Sequence, residues 1–224
     1  MTGDLRLVVF DVDGTLIDSQ NHIFAAMEHA FSAVAHPLPP REAVLSIVGL
    51  SLPEAVARLV PDLAAEARDA IVAAYKRSFG TLRADTLSPL FPGAARVLSE
   101  LGARADLVLG VATGKSRRGL DHMLATHGLA AHFATTQVAD DHPSKPHPSM
   151  LLAALAETGV TARNAVMIGD TTYDIEMGRA AGMATIGVGW GYHPAEALRA
   201  AGAGQVIHDF AALGPALDRI WEMA

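Results

Sequence analysis

The feature that most limits what this chain can fold into is a short apolar run that ends in two carboxylates. Residues 5–10 lead directly into Asp11-Val12-Asp13-Gly14-Thr15. The run is too short for a helix and rich in β-branched residues, so it reads as a buried parallel strand. Such a strand delivers Asp11 and Asp13 to the rim of a sheet, and the carboxyl-end rim is where open α/β folds bind ligands. Gly14 supplies a permissive backbone for the bend that follows, and Thr15 adds a hydroxyl near the acids.

The rest of the chain has two textures. Residues 21–35 carry Ile23, Phe24, Met27, Ala30, Phe31 and Val34 at helical spacing. The Pro37-Leu38-Pro39-Pro40 turn ends that helix. Further helices are expected at 41–48, from Ser51 onward and at 64–79, with Ser51-x-x-Glu54 read as a capping box. Beyond about residue 90, strands (107–112, 133–136, 165–168, 184–188, 205–207) alternate with helices (94–101, 148–158, 174–181, 211–223). Alternation of that kind implies an α/β fold with a doubly wound parallel sheet. The expected organisation is therefore a Rossmann-like core of residues 1–19 and 86–224, interrupted by an all-helical cap of residues 20–85. Because the cap is inserted just after the acids, both its ends lie at their rim, and it forms a lid over them.

Composition narrows the function. The net charge of −7 and the lack of a basic run exclude a nucleic-acid surface. The absence of cysteine excludes disulfides, thiolate metal sites and a cysteine nucleophile. No apolar run approaches the roughly 18 residues of a membrane span, and the first strand leaves no room for a signal sequence, so a cytoplasmic protein is expected. The ten histidines lack the i, i+4 pairing of a helical zinc site.

Three later stretches carry chemistry. Thr113-Gly114 ends the second strand and offers a hydroxyl and an amide to phosphate oxygens, although Thr113 capping the next helix explains it equally well. Lys115 and Arg117 read as rim charges. Lys145 sits among Pro143, Pro146 and Pro148, on a loop stiffened by those rings. An attacking carboxylate and a dianionic phosphate repel each other, at about 4 kcal/mol per pair of unit charges ~4 Å apart for an effective dielectric near 20, so a fixed ammonium is chemically useful here. Asp170 and Asp174 follow the fourth strand, and oxygen donors without His or Cys suit Mg²⁺.

Together these stretches resemble the four motifs of the haloacid dehalogenase-like superfamily: Asp11-x-Asp13-Gly14-Thr15, Thr113-Gly114, Lys145 in Lys-Pro-x-Pro, and Gly169-Asp170-x-x-x-Asp174. The resemblance spans nearly the whole chain, includes the helical cap, and is greatest to phosphoglycolate phosphatases and their near relatives. It implies a Mg²⁺-dependent phosphatase acting on a small phosphate monoester, such as 2-phosphoglycolate, through an aspartyl-phosphate. By the same resemblance Asp11 is the nucleophile and Asp13 the acid and base. Thr113, Gly114 and Lys145 hold the phosphoryl oxygens. Asp11, the Asp13 carbonyl and Asp170 hold the metal, with Asp174 behind them orienting a water or Lys145.

Substrate choice falls to the cap, where Gly49 in the Val48-Gly49-Leu50-Ser51 loop, Arg58, Lys76, Arg77 and Arg83 are candidates. An Arg would suit a carboxylate-bearing substrate. His22 and His147 lie near these residues in sequence, but burial or solvation explains them equally well. A sugar-phosphate mutase, a pyrophosphatase or a nucleotidase would use the same residues. A receiver-like phosphoacceptor domain is disfavoured by the second acid at Asp13 and by the cap. The sequence does not specify an oligomeric state.

Overall fold

The opening run becomes β1 (Arg6–Phe10), whose last four residues are buried. The computed structural model describes residues 5–85 and 88–222, without the side chains of 80–87. β1 lies in a six-stranded, wholly parallel sheet of order β3-β2-β1-β4-β5-β6, with β2 (Leu107–Thr113), β3 (Phe133–Val138), β4 (Ala165–Gly169), β5 (Ala184–Val188) and β6 (Gln205–Ile207). The chain runs outward from β1 to β3 and then returns to β1's other side at β4. That reversal opens a crevice at the carboxyl ends of β1, β2 and β4.

Period-two alternation splits β1 between the two layers. Val8 and Phe10 face a core shared with α5 (Ala94–Gly102), α6 (Arg117–Thr126) and α10 (Leu213–Glu222). Leu7 and Val9 face a second core built from α7 (Ser149–Thr158) and α8 (Thr172–Ala180). A sheet buried on both faces needs continuous apolar strands, which is what the sequence supplies. Among the described residues, a short α9 (Ala195–Ala200) and three 3₁₀ turns complete this layer structure.

Between β1 and α5 the chain forms an inserted helical cap of α1 (Gln20–Ala33), α2 (Arg41–Ser46), α3 (Leu52–Leu59) and α4 (Ala65–Asp85). The cap has its own apolar cluster around Met27, Phe31, Val44, Val56 and Ile71, joined from the core side by Tyr173. Its two connections run side by side: Asp18 N donates to the Pro89 carbonyl and Phe91 N to the Leu16 carbonyl, each at 2.9 Å, with Ile17 and Leu90 bridged antiparallel. Both ends of the insert therefore lie at the acid rim.

Several local expectations are corrected. Ser51 does sit before α3, but its side chain caps nothing. Its amide instead donates to Ser144 Oγ at 2.9 Å, tying the cap to the Lys145 loop. The capping box is at Thr171 and Asp174, which starts α8 two residues earlier than expected. The last cap helix continues past residue 79, the helix expected after Thr113 is α6, and α9 was not anticipated. α6 is short, and its charged start, Arg117-Arg118, hides the buried face of Leu120, Met123 and Leu124. Among the described residues no helix is long and apolar enough to cross a membrane.

Because the cap cluster is separate from the two sheet cores, Phe31→Ala is expected to cost roughly 3–5 kcal/mol through its cavity. The loss should be read as faster amide hydrogen exchange in α1 and α4, with the β1 amides still protected.

Candidate active site

Four side chains from four parts of the chain meet at the carboxyl end of β1. Asp11 follows β1, Asp170 follows β4, Asp174 lies in the first turn of α8, and Lys145 comes from the loop before α7. All four are buried. Carboxylate oxygens of Asp11, Asp170 and Asp174 all lie within 4.8 Å of one another. Lys145 Nζ donates to Asp11 Oδ1 at 2.8 Å and to Asp174 Oδ1 at 2.7 Å. Three carboxylates thus face one ammonium.

Hydrogen bonds fix each acid. Asp170 accepts from Thr15 Oγ1 at 2.9 Å and from the Tyr192 amide at 2.8 Å. Asp174 Oδ2 accepts from the amide of Thr171 at 3.0 Å and from its hydroxyl at 2.7 Å. Asp11 Oδ2 alone among these oxygens is buried without a hydrogen-bond partner. Gly14 makes the close approach of these parts achievable: its φ is +82°, and a Cβ there would run into Asp170 Oδ2 and the Tyr192 ring.

The electrostatics follow from that crowding. Burial, and then the negative charges of Asp174 and Asp13, push Asp11 up to about 7 despite the opposing pull of Lys145. Asp170 is raised well above the usual carboxylate range by burial and then by Asp174 and Asp11. Burial opposes the Lys145 charge, but Asp11 and Asp174 more than offset it, so its ammonium is held. An unpaired buried oxygen amid repelling carboxylates fits a divalent cation held by hard oxygen donors.

Asp13 is turned elsewhere. Both its oxygens accept from Lys115 Nζ, at 2.7 and 2.8 Å, and Oδ1 also accepts from Ser19 Oγ at 2.5 Å. Lys115 is thus a rim charge with a fixed partner, and its side chain is only 9% exposed. The pair spans 102 positions, so spacing gave no signal of it. The Asp13 side chain stands outside the three-acid cluster. Tyr192, unassigned by its position in the sequence, bonds Ser19 through its hydroxyl at 2.9 Å and closes the ring around these acids.

Above the acids lies a cavity of about 500 Å³ between core and cap. Asp11, Asp13, Thr113, Gly114 and Lys115 form its floor, and Met27, Gly49, Leu50, Tyr75, Lys76 and Phe79 contribute from the cap. Thr113 Oγ1 accepts from the Lys115 amide at 3.2 Å. A Cβ on Gly114 would lie 2.6 Å from the carbonyl oxygens of Gly49 and Leu50, so only glycine lets the cap loop rest on the floor. Gly49 and Lys76 are thus placed at the cavity. Arg58 is not: it reaches the Tyr173 hydroxyl at 3.2 Å and Glu54 at 3.9 Å on the surface. The Arg83 side chain lies outside the described residues. His22 pairs with Ser88, and His147 accepts from the Ser149 amide. Arg118 lines the cavity without having been anticipated.

Comparison with known proteins agrees with this geometry. A family model described as haloacid dehalogenase-like hydrolase matches residues 8–188. The chain is 35% identical over 211 residues to a probable phosphatase, IndB, of Dickeya dadantii, covering 91% of this chain and 90% of that one. It is 31% identical over 217 residues to the phosphoglycolate phosphatase of Yersinia pseudotuberculosis, covering 95% and 93%. The fold superposes on a hydrolase from Pseudomonas syringae with a TM-score of 0.85 at 24% identity, over 96% and 99% of the chains.

The raised Asp11 fixes the sign of a pH dependence. An unfolded aspartate loses its proton near 3.8, whereas folded Asp11 keeps it to about 7, so the metal-free fold binds more protons between those values. Its stability should therefore fall as pH rises through that window. A divalent cation should raise the melting temperature more at pH 8 than at pH 5, and its binding at pH 6 should release protons, measurable by calorimetry in two buffers of different ionisation enthalpy.

Proposed function

This chain belongs to the haloacid dehalogenase-like hydrolases, and from that premise we propose that it is a Mg²⁺-dependent phosphatase that cleaves a phosphate monoester through an aspartyl-phosphate. The observation that carries the reading is Asp11 Oδ2, a buried carboxylate oxygen without a partner, beside two further acids and a fixed ammonium. In this proposal residues 1–19 and 86–224 form the catalytic core and residues 20–85 act as its lid.

Asp11 would hold the metal together with the Asp13 carbonyl and Asp170, with Asp174 behind them anchoring Lys145. The bound ion supplies charge neutralisation for the phosphoryl group. The Asp11 carboxylate attacks phosphorus in line through one oxygen, forming a new P–O bond as the bond to the leaving oxygen breaks. Asp13 swings one oxygen to the leaving group and gives it a proton, while its other oxygen keeps Lys115 Nζ. The same carboxylate then takes a proton from water, which attacks phosphorus, frees phosphate and restores Asp11. Thr113 Oγ, the Gly114 amide and Lys145 hold the phosphoryl oxygens through both steps. For 2-phosphoglycolate as the substrate, the support is the activity of the Yersinia relative.

Separating the two half-reactions tests the scheme. Asp13→Asn should lower kcat by about 10²–10⁴-fold, as loss of an acid–base group does. Intact mass spectrometry of that variant after substrate addition should show one added phosphoryl group. Asp11→Asn should remove both turnover and adduct. Full turnover by Asp11→Asn would refute the scheme.

A further inference from the structure

We propose that the leaving group of the substrate is an apolar, ring-bearing alcohol, and not the two-carbon acid of 2-phosphoglycolate; this rests on the phosphatase reading above. The leaving group must lie beside Asp13, its proton donor. The cap surface there is aromatic. Tyr75 and Phe79, one turn apart on α4, are stacked with centroids 5.4 Å apart and 19° between planes. The Phe79 ring lies 5.4 Å from Lys115 Nζ, the atom that holds Asp13. Burial, and then the charge of Asp13, push the Tyr75 phenol upward, which places that ring in Asp13's field as well.

Buried Met27 extends the same wall. A substrate carboxylate in that position would lose its hydration against rings and a thioether, and a buried charge needs a partner. The near cation, Lys115, is already taken by both oxygens of Asp13. Lys76 and Arg118 also line the cavity, but both are exposed, so their charges are screened by water. The cavity's roughly 500 Å³ falls in the range that encloses organic ligands of some size. A two-carbon group would leave the aromatic wall facing water. A ring joined to the ester oxygen by a short alkyl link would cover it.

Steady-state kinetics of the full chain with Mg²⁺ decide the matter. Three esters of unactivated alcohols separate ring recognition from leaving-group reactivity: 2-phenylethyl phosphate, glycerol 1-phosphate and 2-phosphoglycolate. We expect kcat/KM for the phenylethyl ester to exceed that for each of the others at least tenfold. Phe79→Ala, at a partly exposed helical position that tolerates alanine, should shrink that preference about fivefold to tenfold. A preference for 2-phosphoglycolate, or a ratio unmoved by Phe79→Ala, overturns the inference and leaves the phosphatase reading standing. Hydrolysis of none of the three, with no phosphorylated Asp13→Asn protein, overturns both.

Discussion

Three buried carboxylates held around one ammonium are the constraint on which the rest of the structure depends. Asp11, Asp170 and Asp174 repel one another in a place where water cannot screen them, and Lys145 answers only two of them directly. Such an arrangement is costly to fold, because taking charges out of water is repaid only by good geometry and full hydrogen bonding. Nearly every polar contact nearby serves that repayment. Thr15 and the Tyr192 amide hold Asp170, and Thr171 holds Asp174 from two sides. What stays unanswered is a single oxygen on Asp11, the residue the proposed reaction starts from.

The sheet makes this crowding achievable. β1 has neighbours on both sides and cores on both faces, so its backbone cannot shift to relieve the repulsion at its end. Acids placed after β1 and β4 are held by adjacent ladders, with Asp11 N donating to the Ile168 carbonyl at 2.9 Å. The cap then covers the acids while leaving space for a ligand. Its inner surface is mostly apolar, in contrast to the charged floor. In the proposed reading, affinity for the phosphoryl group and choice of what it is attached to fall to different parts of the molecule.

Much of this was legible in the residues. The β1 run ending in Asp11, the strand and helix alternation beyond residue 90 and the interrupted helical texture between them each have a local physical signature. So do the two acids after β4. Lys145 reads only as a lysine on a stiff loop until its partners 134 and 29 positions away are known. Lys115 shows the limit more sharply: charged and next to Ser116, it has every local mark of a surface residue, yet its Nζ is fixed on Asp13. Arg58 errs in the other direction, a helical arginine whose reach ends on a neighbouring tyrosine. The Ser51 pattern was sound as a helix boundary, but the Ser144 hydroxyl took its amide for a tertiary contact. Spacing records what a helix or strand requires of itself, and these pairings are decided by the other elements it meets.

The doubled connection between core and cap shares a residue with the turn that bears the acid. Ile17 accepts the Gly14 amide at 3.0 Å and pairs with Asp13 on one side, while it bridges Leu90 on the other. The fulcrum of any rocking of the cap is therefore built into the same few peptides that carry Asp13. In the proposed reading, where the cap acts as a lid and Asp13 as proton donor, opening for product escape and re-aiming of that donor would be strokes of one lever.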